Sequence, residues 1–317
     1  MTVRQVAERA GVSRQTVSNV LNAPERVDPA TRARVQAAID VLGYRPNRSA
    51  RSLKTRKAGL IGYCLARRPG LNPFMDVFLH ALCGAVENAD HHVLLFSAPD
   101  GEQGMGVYGD LVAQQAVDAF VLSDTVTDDP RPRWLNERGI RFASFGRTGD
   151  GEPGPRVDVD GATACAELVA GLFALGHRDI AFIGWSNGVV AGADRLDGWR
   201  SECDHLGLSA GEDMVVRVVS DLLAVGALRE VVHRGLKVGE DVAVTGFDDS
   251  VLACAVQPGL TTVRQPIAEI AATLVQLLQA PVDTPAVLLP GEIVSRRSAP
   301  VTTGLAGSRG QPALGTR

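Results

Sequence analysis

The sequence predicts an all-α helix-turn-helix head followed by an α/β body of two lobes built on parallel sheets. Three observations carry this. Residues 1–57 hold 12 lysines and arginines against four acids, while the remainder holds 20 against 32, although the 317-residue chain nets only −4. Apolar residues over the first 45 positions recur at helical spacing, interrupted by turn residues. From residue 58 onward, short apolar runs alternate with helical patterns, as in parallel strands joined by helices.

The head comes first. Val3, Val6, Ala7 and Ala10 fall at i, i+3, i+4 and i+7, one buried face of a helix, with Thr2 placed as its cap. Gly11 breaks that helix, Val12 plugs the turn, and Ser13 caps a second helix whose inner stripe is Val17, Val20 and Leu21. A third helix is expected over Pro29–Leu42, entered through Asp28 and stopped by Gly43. Arg14, Gln15 and Asn19 are left on the outer face of the second helix, where they can offer hydrogen bonds to base edges in the major groove. Thr16, Ser18, Asn22 and the arginines, Arg26 among them, suit phosphates, which fix register without reading sequence, and the capping Ser13 is counted with the DNA-binding residues. A small helical bundle with a solvated charged face is the alternative. The balance of +8 and the turn chemistry point independently to nucleic acid.

The run Val6-Ala7 … Ala10-Gly11-Val12-Ser13-Arg14-Gln15-Thr16-Val17-Ser18-Asn19-Val20-Leu21-Asn22 resembles the head of the lactose/galactose repressor family. So does Leu42-Gly43-Tyr44-Arg45-Pro46-Asn47 followed by Ala50-Arg51-Ser52-Leu53, and the likeness continues to about residue 300. The resemblance implies a hinge helix over residues 47–54, ordered when a dimer sits on its operator, with Leu53 wedged into the minor groove. Asn47, Arg48, Ala50, Arg51 and Lys54 would then line the DNA. Physically, cations there release counterions and an apolar side chain unstacks a base step. Without the resemblance the same stretch reads as a basic linker.

In the body, strands are expected over residues 59–65, 93–97, 119–122, 141–145, 180–184, 214–219 and 241–247, with helices such as 74–88 and 161–175 between them. Ligands of such sheets bind beyond the carboxyl ends of strands. The family resemblance rests here on Val157-Asp158-Val159-Asp160-Gly161, on residues 175–184, on Val244-Thr245-Gly246-Phe247-Asp248-Asp249, and on Leu260-Thr261-Thr262-Val263-Arg264-Gln265-Pro266. It implies a periplasmic-binding-protein-like body whose chain crosses three times between lobes. Arg195, in Asp194-Arg195-Leu196-Asp197-Gly198-Trp199, matches the family's effector-clamping arginine. Asp248 matches an aspartate that accepts from sugar hydroxyls, with a turn or capping aspartate as its alternative. Phe74 and Trp185 are candidate aromatic platforms. Phe145-Gly146-Arg147 resembles members that respond to glucosides, which adds Arg147 to the effector set. By their residues alone, His177 reads as a helix-end residue, and Asp158 and Asp160 as strand-end turn formers.

One departure from the family stands out. Residues 214–219 run straight into Ser220-Asp221-Leu222-Leu223, where the family interposes a helix and a further strand. A parallel pair needs a crossover of about a dozen residues, so an edge strand and its helix are expected to be missing from the second lobe. Ser220 stands where the family has an asparagine near the effector.

Other classes find little support. No stretch approaches the roughly 18 apolar residues of a membrane span, and the first ten residues lack a secretory apolar run. Five scattered cysteines, with no C-x-x-C, argue against a disulfide framework or a metal site and favour the cytoplasm. Gly104-Met105-Gly106-Val107-Tyr108-Gly109 is a literal G-x-G-x-x-G but lacks the strand and acidic partner of a dinucleotide site. No catalytic motif is present, so no enzyme and no cofactor are expected. The expected layout is residues 1–46 as head, 47–57 as hinge, 58–301 as effector and dimerisation body, and 302–317 as a disordered tail. The expected function is a repressor of carbohydrate-utilisation genes, binding a pseudo-palindromic double-stranded DNA operator as a homodimer or a higher assembly. Its effector would be a small sugar or glucoside. A regulator with defective effector response, or a sugar-binding transport receptor, are the alternatives.

Overall fold

Three side chains start the three helices of the head. Thr2 forms a capping box with Gln5, Ser13 Oγ accepts from Thr16 N at 3.0 Å, and Asp28 Oδ1 accepts from Thr31 N at 2.9 Å. These caps open α1 (Val3–Ala10), α2 (Arg14–Asn22) and α3 (Pro29–Leu42). Gly11 ends α1 in the left-handed region at φ 65°, where a residue without Cβ carries no strain. The structure, a computed structural model, describes residues 1–44, 57–65, 73–149, 151–184, 190–211, 214–217 and 220–302. It separates into two compact units, Met1–Ala58 and Gly59–Arg317. The expected hinge over residues 47–54 and the tail from residue 303 lie outside the described residues. In the head, Val6, Ala7, Ala10, Val17, Val20, Val35, Ala38, Ile39 and Tyr44 form a core of their own.

The body begins with a six-stranded sheet in the order β2-β1-β3-β4-β5-β9, every pairing parallel. Its strands are β1 (Leu60–Cys64), β2 (His92–Phe96), β3 (Ala119–Leu122), β4 (Phe142–Phe145), β5 (Arg156–Val159) and β9 (Val287–Leu289). Helices cover both faces. α4 (Pro73–Asn88) and α11 (Ile267–Leu277) bring Phe78, Leu82, Ile270 and Leu274 onto Tyr63, Val121 and Val157. On the other face, α5 (Met105–Ala113) and α6 (Pro130–Glu137) pack Tyr108 and Leu135 against Phe120 and Leu122. Each such side chain stabilises the lobe by roughly 1.5–3 kcal/mol on burial. Of the glycines in the G-x-G-x-x-G string, Gly104 belongs to this packing, for a Cβ there would collide with the carbonyl of Pro99, whereas a Cβ on Gly106 would meet open space.

The second lobe holds α7 (Gly161–Ala174), β6 (Phe182–Gly184), α8 (Val190–His205), β7 (Val215–Arg217), α9 (Ser220–His233), α10 (Val251–Ala255), β8 (Thr262–Arg264) and β10 (Glu292–Val294). Its strands form two separate pairs, β6-β7 parallel and β10-β8 antiparallel. The chain therefore crosses between lobes after β5, after β8 and after β9. The strand expected over residues 241–247 is not formed. That stretch makes only single bridges, Val238 with Val242 and Thr245 with Thr261, because no neighbouring strand runs along its other side among the described residues.

Candidate DNA-reading surface and effector site

α2 presents the side chains that sequence assigned to DNA. Arg14 and Gln15 are exposed, and Thr16, Ser18 and Asn19 are half-buried, while Val17 and Val20 anchor the opposite side in the core. Gln15 Nε2 donates to Asn19 Oδ1 at 2.9 Å, so two candidate base-reading groups lie together one turn apart. Ser13 Oγ and Thr16 Oγ1 lie 2.9 Å apart at the helix N-terminus, where backbone N–H groups favour a phosphate. Arg26 is exposed in the 3₁₀ turn Pro24–Arg26, 3.8 Å from Glu25. Asn22 closes α2, but its side chain lies outside the described set. Asn47, Arg48, Ala50, Arg51, Leu53 and Lys54 also lie outside the described residues.

In the body, polar groups of β5, α8 and the segments after β4 and residue 247 form ion pairs and hydrogen bonds with one another. Arg147 follows β4. Its Nε donates to Asp158 Oδ2 on β5 at 3.1 Å, and its Nη2 pairs with Asp194 on α8. The next residue, Arg195, lays its guanidinium 3.4 Å from the centre of the Phe247 ring, a cation–π contact. Gly161 permits that placement, since a Cβ there would lie 2.9 Å from Arg195 Cγ. Asp248 follows at φ 105°, buried, accepting from Gln265 Nε2 at 2.6 Å. Burial pushes its carboxyl up to about 6, against the opposing pull of Arg195 and the added push of Asp221. Arg147 thus lies between Asp158 and Asp194, and Arg195, next in sequence to Asp194, acts on Asp248; donors beside acceptors suit a neutral ligand rich in hydroxyl groups.

The structure also moves some residues away from the roles expected of them. Phe74 is buried in the first lobe's core, 5.8 Å from Phe145 and stacked on Phe78, so it serves packing and offers no open platform. Asp158 is an ion-pair partner of Arg147 where a turn former was expected, whereas Asp160 caps α7 by accepting from Thr163 N at 2.9 Å. His177 follows the C-terminus of α7, its amide donating to Leu172 O. Trp185 lies outside the described residues, and Ser220 opens α9 with its side chain outside the described set. Asp194, Phe247 and Gln265 were not among the expected site residues, although each sits inside a motif singled out above.

Known proteins resolve what this arrangement belongs to. A model of bacterial regulatory proteins of the lacI family matches residues 2–47, and a periplasmic binding protein-like domain matches residues 215–299. The HTH-type transcriptional regulator CelR of Thermobifida fusca is 32% identical over 299 residues, covering 84% of this chain and 87% of its own length. The chain belongs to the lacI family. MalR of Streptomyces coelicolor is 31% identical over an alignment of 354 residues, covering 98% of this chain and all of MalR. Among solved structures, a CelR–cellobiose complex is 29% identical with a TM-score of 0.69, and the lac repressor dimer bound to operator and an anti-inducer is 26% identical with a TM-score of 0.78. Each covers 94% of this chain and is itself 99% covered. As a lacI-family protein, the chain is a transcriptional regulator with a DNA-binding head and a two-lobed body.

Proposed function

We propose that this regulator is a cytoplasmic dimeric repressor of carbohydrate-utilisation genes, not an enzyme, released from a pseudo-palindromic operator by a sugar or glucoside. The grouping of Arg147 beyond β4, Asp194 and Arg195 on α8, and buried Asp248 after residues 241–247 carries the reading. The solved complex of the relative CelR with cellobiose supports a sugar class. Arg14, Gln15 and Asn19 would read bases, and Leu53 with its neighbouring cations would work as the hinge through which effector and DNA are coupled. A gel shift with genomic fragments, with and without a sugar pool, tests this. Retarded fragments that share a palindrome, freed by one sugar, are expected; indifference to DNA sequence would refute the reading.

A second reading concerns the effector response itself. We infer that the second lobe lacks a strand and a helix relative to its relatives. The MalR alignment is longer than this 317-residue chain, and among the described residues β6 pairs on one side only, with β7. The pairing of β6 with β7 and the single bridges of residues 241–247 support a shortfall between β6 and residues 241–247, inside the sheet and not at its edge. A weakened response to effector would follow. Thermal unfolding with a panel of sugars decides: no rise in Tm with any of them supports the weakened response, and a clear rise removes it.

A further inference from the structure

A cavity of about 410 Å³ lies in the second lobe between β6 and residues 241–247. That volume is at the lower end of what small-molecule sites occupy. Leu168 and Leu172 of α7, Trp199 of α8, and Ala224, Ala227 and Val231 of α9 give it apolar walls. Trp199 spends its only donor on Ile180 O at 3.2 Å, so its indole adds apolar surface to the lining.

Two further features fix what would fit. Arg195 and Phe247 line the cavity and are also the stacked pair beside Asp248, so the apolar space and the polar site share a wall. The amides of Val244 and Gly246 donate away from β6, to Ser298 O and Thr261 O. Alternation along an extended chain turns the polar groups of Ala243 and Thr245 the other way, toward the cavity. The space is therefore bounded by β6 on one side and residues 241–247 on the other, with α7, α8 and α9 against it. His177, Asp179, Arg195 and Asp241 also line it, and the walls between them are apolar, which suits an uncharged group.

We propose that this slot is a subsite for an uncharged aromatic group carried by the effector, which makes the effector class an aryl glycoside in preference to a free sugar. The sugar hydroxyls meet Arg195 and Asp248, and the aglycone enters between β6 and residues 241–247. This inference rests on the effector reading above. Calorimetry with matched methyl and phenyl glycosides of several sugars tests it, on the full-length protein and on Ala227→Leu. For the sugar that binds, the phenyl glycoside should bind about tenfold or more tighter than the methyl glycoside. Ala227→Leu, which fills the slot, should remove that preference and leave methyl-glycoside binding in place. Equal binding of the two glycosides by the unmodified protein overturns the subsite and leaves the effector reading standing. Binding of neither, by protein that still retards its operator fragment, overturns both.

Discussion

Arg147 and Asp194 form an ion pair that ties the segment following β4 in the first lobe to the first turns of α8 in the second. Asp158, buried on β5, accepts from the same guanidinium at 3.1 Å. The pair lies across the two lobes, next in sequence to Arg195, and a ligand entering between the lobes must rearrange it or use it.

Removing the guanidinium leaves two carboxylates with no cation between them, one of them buried. Arg147→Ala should destabilise the body by about 3 kcal/mol, the usual cost of stranding a buried charge. Urea unfolding at pH 7 measures this. Asp158→Asn in the Arg147→Ala background should restore part of the loss, whereas additive losses would contradict the pairing.

Asp248 predicts a pH dependence of defined sign. Its folded pKa of about 6 lies above the ordinary aspartate value of 3.8, so the folded state favours the protonated form. The associated stability is fully present below about pH 4 and is lost as pH rises through about 6, amounting to about 3 kcal/mol. Unfolding free energies of the unmodified protein minus those of Asp248→Asn should fall over that window and stay flat above it. Effector affinity should rise over the same window, because the carboxylate is the better acceptor for hydroxyl groups.

Gly198 of α8 faces the start of α7 so closely that a Cβ would collide with the backbone of Ala162. Gly198→Ala should therefore cost about 1–3 kcal/mol through overpacking. An unchanged Tm would show that the two helices can separate without penalty.

In the head, Arg14→Ala or Gln15→Ala should cost about 1–3 kcal/mol and relax preference at single operator positions. Arg26→Ala should weaken all sequences alike and reduce the salt slope by about one. Leu53→Ala should weaken a palindromic site by a few kcal/mol at most through lost wedging. Anisotropy titrations at several salt concentrations separate the three behaviours.

The head was legible in the sequence because its rules are local. Thr2, Ser13 and Asp28 cap where short polar residues precede apolar stripes, and Gly11 stops α1 where φ turns positive. Arg195 and Asp248 were legible only through family motifs. Asp158 was not, because an acid alternating with valines looks the same whether it forms a turn or pairs with an arginine far along the chain. Phe74 carried a readable signal that was given too little weight: Phe74, Phe78, Leu82 and Val86 recur every four residues and are all buried. The strand expected over residues 241–247 depended on a neighbour, and local composition does not report whether a neighbour exists.

Under the proposed function, the guanidinium–carboxylate site in the body sets the affinity of the head for DNA. Anisotropy titration of a selected operator fragment, with each sugar and aryl glycoside in turn, tests it most directly. One ligand should weaken DNA binding by the unmodified protein, while Asp248→Asn should bind the same DNA as tightly and no longer respond. A ligand that weakens DNA binding equally in both proteins would contradict it.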